Sequence, residues 1–212
     1  MNEAIAELYA TGLVVGRSGR VHQLHSAIDP EEGEFLSSII RGDPTIRRTL
    51  EVGCAYGLSS LYICAAIRGR AGASHTIIDP YQSTQWDGAG ARQLEDAGID
   101  FFNLVERKSE FALPRLLEHN EGQFDFVFVD GWHTFDHTLL DCFYASRLLR
   151  TGGVLAIDDV MFPSVKRVVR YLKNYPCYEQ VGSVSDHQET RMVALRKAKD
   201  DKRNWNWHVD LF

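Results

Sequence analysis

Two apolar runs, each ending in aspartate, constrain this chain more than any other feature in it. Phe124-Asp125-Phe126-Val127-Phe128-Val129 runs into Asp130, followed by Gly131-Trp132-His133-Thr134. Val154-Leu155-Ala156-Ile157, opened by Gly152-Gly153, runs into Asp158-Asp159. Runs this short and this apolar suit strands covered on both faces, the condition of a parallel sheet with crossover helices. In such sheets, ligands collect in the crevice outside the carboxyl ends of the strands. With the two runs as neighbours, Asp130 and Asp158 stand at equivalent heights. Together with Asp159 they make an all-oxygen set suited to a hard divalent cation.

The rest of the chain keeps the same rhythm, which makes the fold class α/β. One or two helices are expected in an N-terminal region, residues 1–45. A core follows over 46–196, with strands at Thr49–Val52, His75–Ile78 and Phe101–Val105 ahead of the two runs above. Leu58, Leu61, Tyr62 and Ala65 fall on one helical face after the first of these strands. A helix starting near Asp136, with Asp136 as its cap, should carry Leu139, Cys142 and Phe143 inward. Pro163 can open another helix, with Val165, Val168, Val169 and Leu172 as its stripe. Tyr178–Val184 and Thr190–Leu195, joined by polar Ser185 to Glu189, read as a closing antiparallel pair. The expected architecture is a Rossmann-like doubly wound sheet, mostly parallel, ending in that pair.

At 212 residues the chain fits one domain able to bury a sizeable core. Its net charge of −6 and its lack of any long Lys/Arg block argue against nucleic acid or an anionic membrane as partner, so a small molecule is expected. The first residues show no basic region followed by an apolar run, and no segment is apolar enough to span a bilayer, so a cytoplasmic location is expected. Cys54, Cys64, Cys142 and Cys177 are widely spaced and read as small buried hydrophobes. The tail, 197–212, is charged and then aromatic. Its Trp205, Trp207 and Phe212 should dock onto the domain or onto a second subunit in a homodimer.

Glu51-Val52-Gly53-Cys54-Ala55-Tyr56-Gly57-Leu58-Ser59 places two glycines in the first strand-to-helix turn, where a helix N-terminus can face an anion. The third glycine of a dinucleotide fingerprint is missing, which weakens an NAD-dependent oxidoreductase and leaves an amino-acid carboxylate as plausible an anion as a phosphate. Asp79 ends the next strand, the place from which an acid accepts hydrogen bonds from ribose hydroxyls. Ribose together with a non-pyrophosphate anion suggests S-adenosylmethionine.

Over Ser26 to Leu195 the chain resembles the class I S-adenosylmethionine-dependent O-methyltransferases. Within them it is most similar to the small metal-dependent branch typified by catechol and caffeoyl-CoA O-methyltransferases. The resemblance rests on the helix start Ile28-Asp29-Pro30-Glu31-Glu32-Gly33-Glu34-Phe35-Leu36, on Glu51 through Ser59, on Phe126 through Trp132, and on Gly152 through Val160. It implies that Glu51, Gly53, Gly57, Ser59, Asp79, Ser109, Asp130 and Trp132 line the cofactor, and that Asp130, Asp158 and Asp159 hold a divalent cation, Mg²⁺ in the first place. Asp159 stands where that branch carries Asn, and His133 where the catechol enzymes carry a catalytic Lys. Both changes resemble a wider set of sugar and natural-product methyltransferases.

A small hydroxylated acceptor and a catalytic His133 follow as expectations. A cation lowers the pKa of a bound oxygen, and an imidazole suits general-base work. His137 is the weaker rival for that role. Trp132 either edges the adenine or plugs the core, while Trp86 reads as packing. Metal-independent or N-directed methyl transfer, and a non-catalytic cofactor-binding protein, are the competing readings.

Overall fold

In the computed structural model, residues 2–119, 123–187 and 189–210 are described. The elements run α1 (Asn2–Thr11), β1 (Leu13–Val15), β2 (Val21–Gln23), α2 (Pro30–Gly42), β3 (Arg48–Val52), α3 (Leu58–Ile67), β4 (Ser74–Ile78) and α4 (Ala89–Asp96). They continue as β5 (Phe102–Val105), α5 (Ser109–Glu118), β6 (Phe124–Val129), α6 (Phe135–Leu148), β7 (Leu149–Ile157), α7 (Pro163–Leu172), β8 (Tyr178–Asp186) and β9 (Glu189–Lys197). Seven strands form one sheet in the order β5-β4-β3-β6-β7-β9-β8, parallel except for β9, which runs antiparallel to both neighbours. The expected mostly parallel sheet with its closing antiparallel pair is therefore present.

Alternation along each strand separates two apolar layers. Phe126, Phe128, Val154 and Ala156 face α2, α3 and α4, whereas Val127, Val129, Leu155 and Ile157 face α5, α6 and α7. β6 is buried at every position, which is why it reads as a continuous apolar run. α3 is buried on nearly every side, so its sequence shows less of a stripe than a helix with one wet face would. At α2, Asp29 accepts from the backbone of Glu32 while Glu32 accepts from that of Asp29, and Pro30 takes the first helical position.

Four expectations need correction. The N-terminal region holds the hairpin β1-β2 between its two helices. α6 is preceded by Thr134 as N-cap, with Asp136 inside the first turn accepting from the Thr134 hydroxyl. Phe143 points outward, 40% exposed, under the Arg147 guanidinium; it lies a quarter-turn or more from the buried Cys142. β7 begins at Leu149 and passes through Gly152 at φ +85, beside a register shift against β6, so the glycine pair lies inside the strand.

All four cysteines are free and buried. Among the described residues no helix is long and apolar enough to cross a membrane. Trp207 packs on Tyr171 and Tyr175, with Arg203 over Tyr175 at 3.4 Å. Trp205 is 97% exposed and so is not docked among the described residues; Phe212 and Gln188 lie outside them.

Candidate active site

Chain order reverses at β3, whose neighbours are β4 on one side and β6 on the other, and this opens a crevice at their carboxyl ends. Register sets the height of everything in it. Val52 is level with Ile78 and Val129, and Val129 with Ile157. Gly53, Asp79, Asp130 and Asp158 are consequently the first residues beyond the strands, on one rim. Backbone bonds continue the ladder there, from Asp130 N to Val52 O at 2.9 Å and from Asp158 N to Val129 O at 3.1 Å.

The Gly-rich turn needs its glycines. Gly53 has φ +88 and lies so close to the Asp130 carbonyl that a Cβ there would overlap it, and Gly57 has φ +86 with Gly90 packed against it. Gly57 supplies no side-chain cap to α3. The first turn of that helix, Leu58 to Ser60, therefore presents amide groups that a ligand anion can take.

Asp79 organises this turn. Its Oδ2 accepts from Cys54 N at 3.1 Å, Ala55 N at 2.9 Å and Gln82 Nε2 at 3.1 Å, and its Oδ1 from Tyr81 N at 2.9 Å. Asp79→Ala would leave those donors unmatched in a site where the carboxylate is 3% exposed. The variant is expected to lose about 2–5 kcal/mol of stability as well as cofactor affinity. Urea denaturation and calorimetry check this, and wild-type stability in the variant would contradict it.

Across the crevice, Asp130, His133 and Asp159 place one ligand atom each within 4.8 Å of one another. His133 Nε2 lies 2.9 Å from Asp159 Oδ2 and 3.5 Å from Asp130 Oδ1, and its ring stacks on Phe162 at 5.3 Å. Asp159 adopts φ +55, a left-handed turn that an Asp tolerates better than most residues. Hydrogen bonds from His133 to Asp130 and Asp159 push the imidazole pKa up to about 10. Desolvation pushes Asp130 up to about 6, although its bond to His133 opposes the rise.

Asp158 is not one of the three. It is buried, and desolvation, with Asp130 and Glu32 adding repulsion, holds its carboxyl well above the usual range. Glu32, on α2, is a fourth acid of this site and was not anticipated. Burial, then Asp130 and Asp159, push it up to about 7. Arg191 of β9 bonds Asp29 and Glu31 and lies 3.8 Å from Glu32, which ties the start of α2 to the crevice. The capping box accounts for Glu32 locally, so only the burial of α2 against the sheet could have exposed its second role.

The remaining candidates are placed as follows. Ser59 is buried in the first turn of α3, and Glu51 lies wholly beneath the turn. Ser109 opens α5, where its influence opposes the rise that burial imposes on the Asp141 carboxyl of α6. Trp132 is 64% exposed, so it does not plug the core, and Trp86 packs edge-on against Tyr56 at 5.1 Å. His137 turns to Thr134 at 2.7 Å and stands outside the carboxylate group.

Asp141 carries a pH signature of its own. Burial raises its pKa to about 6. A raised native pKa stabilises the fold below the unfolded value near 4, and that contribution is lost as pH rises through 6. Asp141→Asn should then be more stable than the wild type at pH 7, by about 3 kcal/mol. The gap should close towards pH 4 in melting experiments. A gap that stays constant with pH would contradict the assignment.

Known proteins can now be set beside this geometry. Residues 50–160, just over half of the chain, match the family described as a methyltransferase domain. The chain belongs to that family. Catechol O-methyltransferase B of Danio rerio is 32% identical over 169 residues, 77% of this chain and 61% of that protein. Tricin synthase 2 of Oryza sativa subsp. japonica is 31% identical over 142 residues, covering 63% and 44%. The chain thus spans less than two thirds of the length of these relatives.

Solved structures share the class I methyltransferase fold. The O-methyltransferase TomG of Streptomyces achromogenes, in complex with SAM, has a TM-score of 0.69 at 22% identity over 91% of this chain and 88% of its own. The O-methyltransferase of Bacillus cereus, in complex with SAH, has a TM-score of 0.70 at 17% identity over 92% and 90%.

Proposed function

We propose that this methyltransferase-family chain is an S-adenosylmethionine-dependent O-methyltransferase that acts on a small hydroxylated acceptor and uses a divalent cation. The observation that carries the reading is the convergence of Asp130, His133 and Asp159 at the strand ends beside an uncapped, Gly-rich helix start. Relatives named for catechol and tricin chemistry support the hydroxylated acceptor. In this reading residues 1–45, 46–196 and 197–212 work as one cytoplasmic domain.

The residues divide the work by position. The first turn of α3, at Ser59, takes the amino-acid carboxylate of the cofactor. Asp79 spends Oδ2 on the turn and keeps an acceptor direction on Oδ1 for the ribose. Trp132 and Ser109 flank the adenine.

The donor set fits a hard cation, since two carboxylates with ligand atoms in mutual reach repel one another unless a positive charge sits between them. Asp130 and Asp159 would hold it, with Asp158 as the third carboxylate, and Mg²⁺ suits an all-oxygen set. When bound, the cation supplies Lewis acidity that lowers the pKa of the acceptor hydroxyl.

His133 competes for the same two carboxylates, and while it holds them it carries a proton. With those carboxylates holding a metal ion instead, its imidazole would be free to take the acceptor proton. The in-line geometry of transfer is set by the rim that positions both partners.

Thermal shift tests the reading directly. SAH, and separately Mg²⁺ or Mn²⁺, should raise the melting temperature because they bind the native state, whereas NAD should not. Stabilisation by NAD with none by SAH would overturn the assignment.

A further inference from the structure

Beneath the Gly-rich turn lies a fully buried polar cluster that the proposed reaction does not use. Thr49, Glu51, Ser60 and His75 are each 0% exposed. β3 and β4 pair Thr49 with His75, which puts His75 diagonally across from Glu51 on the face covered by α3. His75 Nε2 lies 3.0 Å from Glu51 Oε2, and its Nδ1 lies 2.8 Å from Thr49 Oγ1. The Ser60 hydroxyl donates to the same Glu51 oxygen and sits 3.4 Å from Cys54 Sγ, while Glu51 Oε1 has no partner among the described residues.

We propose that His75 is a positioning residue for the cofactor site, acting through Glu51 and Ser60 on the first turn of α3. A buried carboxylate is tolerable only while it is hydrogen-bonded. Among the described residues Glu51 has two side-chain donors, both on one oxygen, His75 from β4 and Ser60 from α3. The pull from His75 sets where the carboxylate stands, and the carboxylate sets where Ser60 stands.

Ser60 belongs to the turn whose amides face the amino-acid end of the cofactor, and it follows Ser59 directly. The chain of bonds β4–His75–Glu51–Ser60 therefore aims the anion-binding amides from below, as Asp79 aims the turn from the side. Removing His75 leaves Glu51 with one donor and the turn with one anchor fewer. The adenine and ribose ends, held by other strands, should not feel the change.

The inference rests on the cofactor reading above, and the test separates the two. Affinities for SAH and for 5′-methylthioadenosine, which lacks the amino-acid part, are measured by calorimetry on the wild type, H75L, H75Q, S60A and the H75L/S60A double variant. H75L and S60A are each expected to weaken SAH about tenfold while leaving 5′-methylthioadenosine within about a factor of two. The double variant should lose little more than either single one, because the two act in series. H75Q keeps a donor toward Glu51 and should recover most of the loss.

Equal losses for both ligands would make His75 a core residue with no aim on the site and would overturn the inference. Unchanged SAH affinity, or additive losses, would overturn it too. If H75L does not fold, S60A against the two ligands decides. A wild type that binds neither ligand overturns the cofactor reading, and this inference with it.

Discussion

His133→Ala is expected to lower turnover by about 10²- to 10⁴-fold, the range of a lost general acid-base group, while SAH affinity changes by no more than about a factor of two. The His133 side chain meets Asp130 and Asp159 and stacks on Phe162, while its carbonyl accepts from the Ser164 hydroxyl. It touches neither the Gly-rich turn nor Asp79. Affinity for Mg²⁺ should hold or tighten, because the imidazolium that contends for the same carboxylates is gone. A loss confined to kcat, with cofactor and cation binding retained, marks a group that acts in the transition state. Turnover within threefold of wild type would remove His133 from the chemistry. A collapse of SAH binding would show that it shapes the site.

The strand ends were legible from the residues because burial on both faces leaves 126–129 of β6 and 154–157 of β7 without a polar residue, so that an aspartate at the tip stands out against the run before it. Parallel order and shared height then followed from the α/β rhythm alone. The β1-β2 hairpin was not legible. Its strands have three residues each, and what fixes it lies far along the chain: Asp87 takes the Ser18 backbone and hydroxyl and pairs with His22 at 3.1 Å.

Phe143 illustrates the limit of periodicity in a helix that packs on two neighbours, since adjacent positions cannot both face the sheet. At the site itself, Asp130 and Asp159 are placed within reach of each other, as the pattern suggested. The third side chain within reach of both, however, is His133 rather than Asp158. A strand end dictates which residue is first beyond the sheet, but not which way two successive carboxylates turn. Glu32, Asp141 and His75 stayed hidden for a related reason. Each sits in a locally complete pattern, and only tertiary packing reveals what it faces.

The measurement that bears most directly on the whole account is methyl transfer from S-adenosylmethionine to a panel of hydroxylated acceptors, before and after exhaustive chelation, with Mg²⁺ or Mn²⁺ then restored. Asp130, Asp158, Asp159 and Glu32 crowd one crevice, and burial first, then mutual repulsion, raises the carboxyl pKa values of Asp130, Asp158 and Glu32, both of them costs that a cation would offset. In the proposed reading the acceptor hydroxyl would stay protonated and His133 would stay paired without the cation. Activity should therefore fall by at least about a hundredfold on chelation, given what one positioned acid-base or Lewis-acid contribution is worth, and return with the metal. Asp159→Ala should show the same loss without rescue at ordinary Mg²⁺ concentrations, while still binding SAH. Full activity in the chelated enzyme would contradict the cation mechanism and leave metal-independent transfer, with His133 as its base, as the reading to pursue.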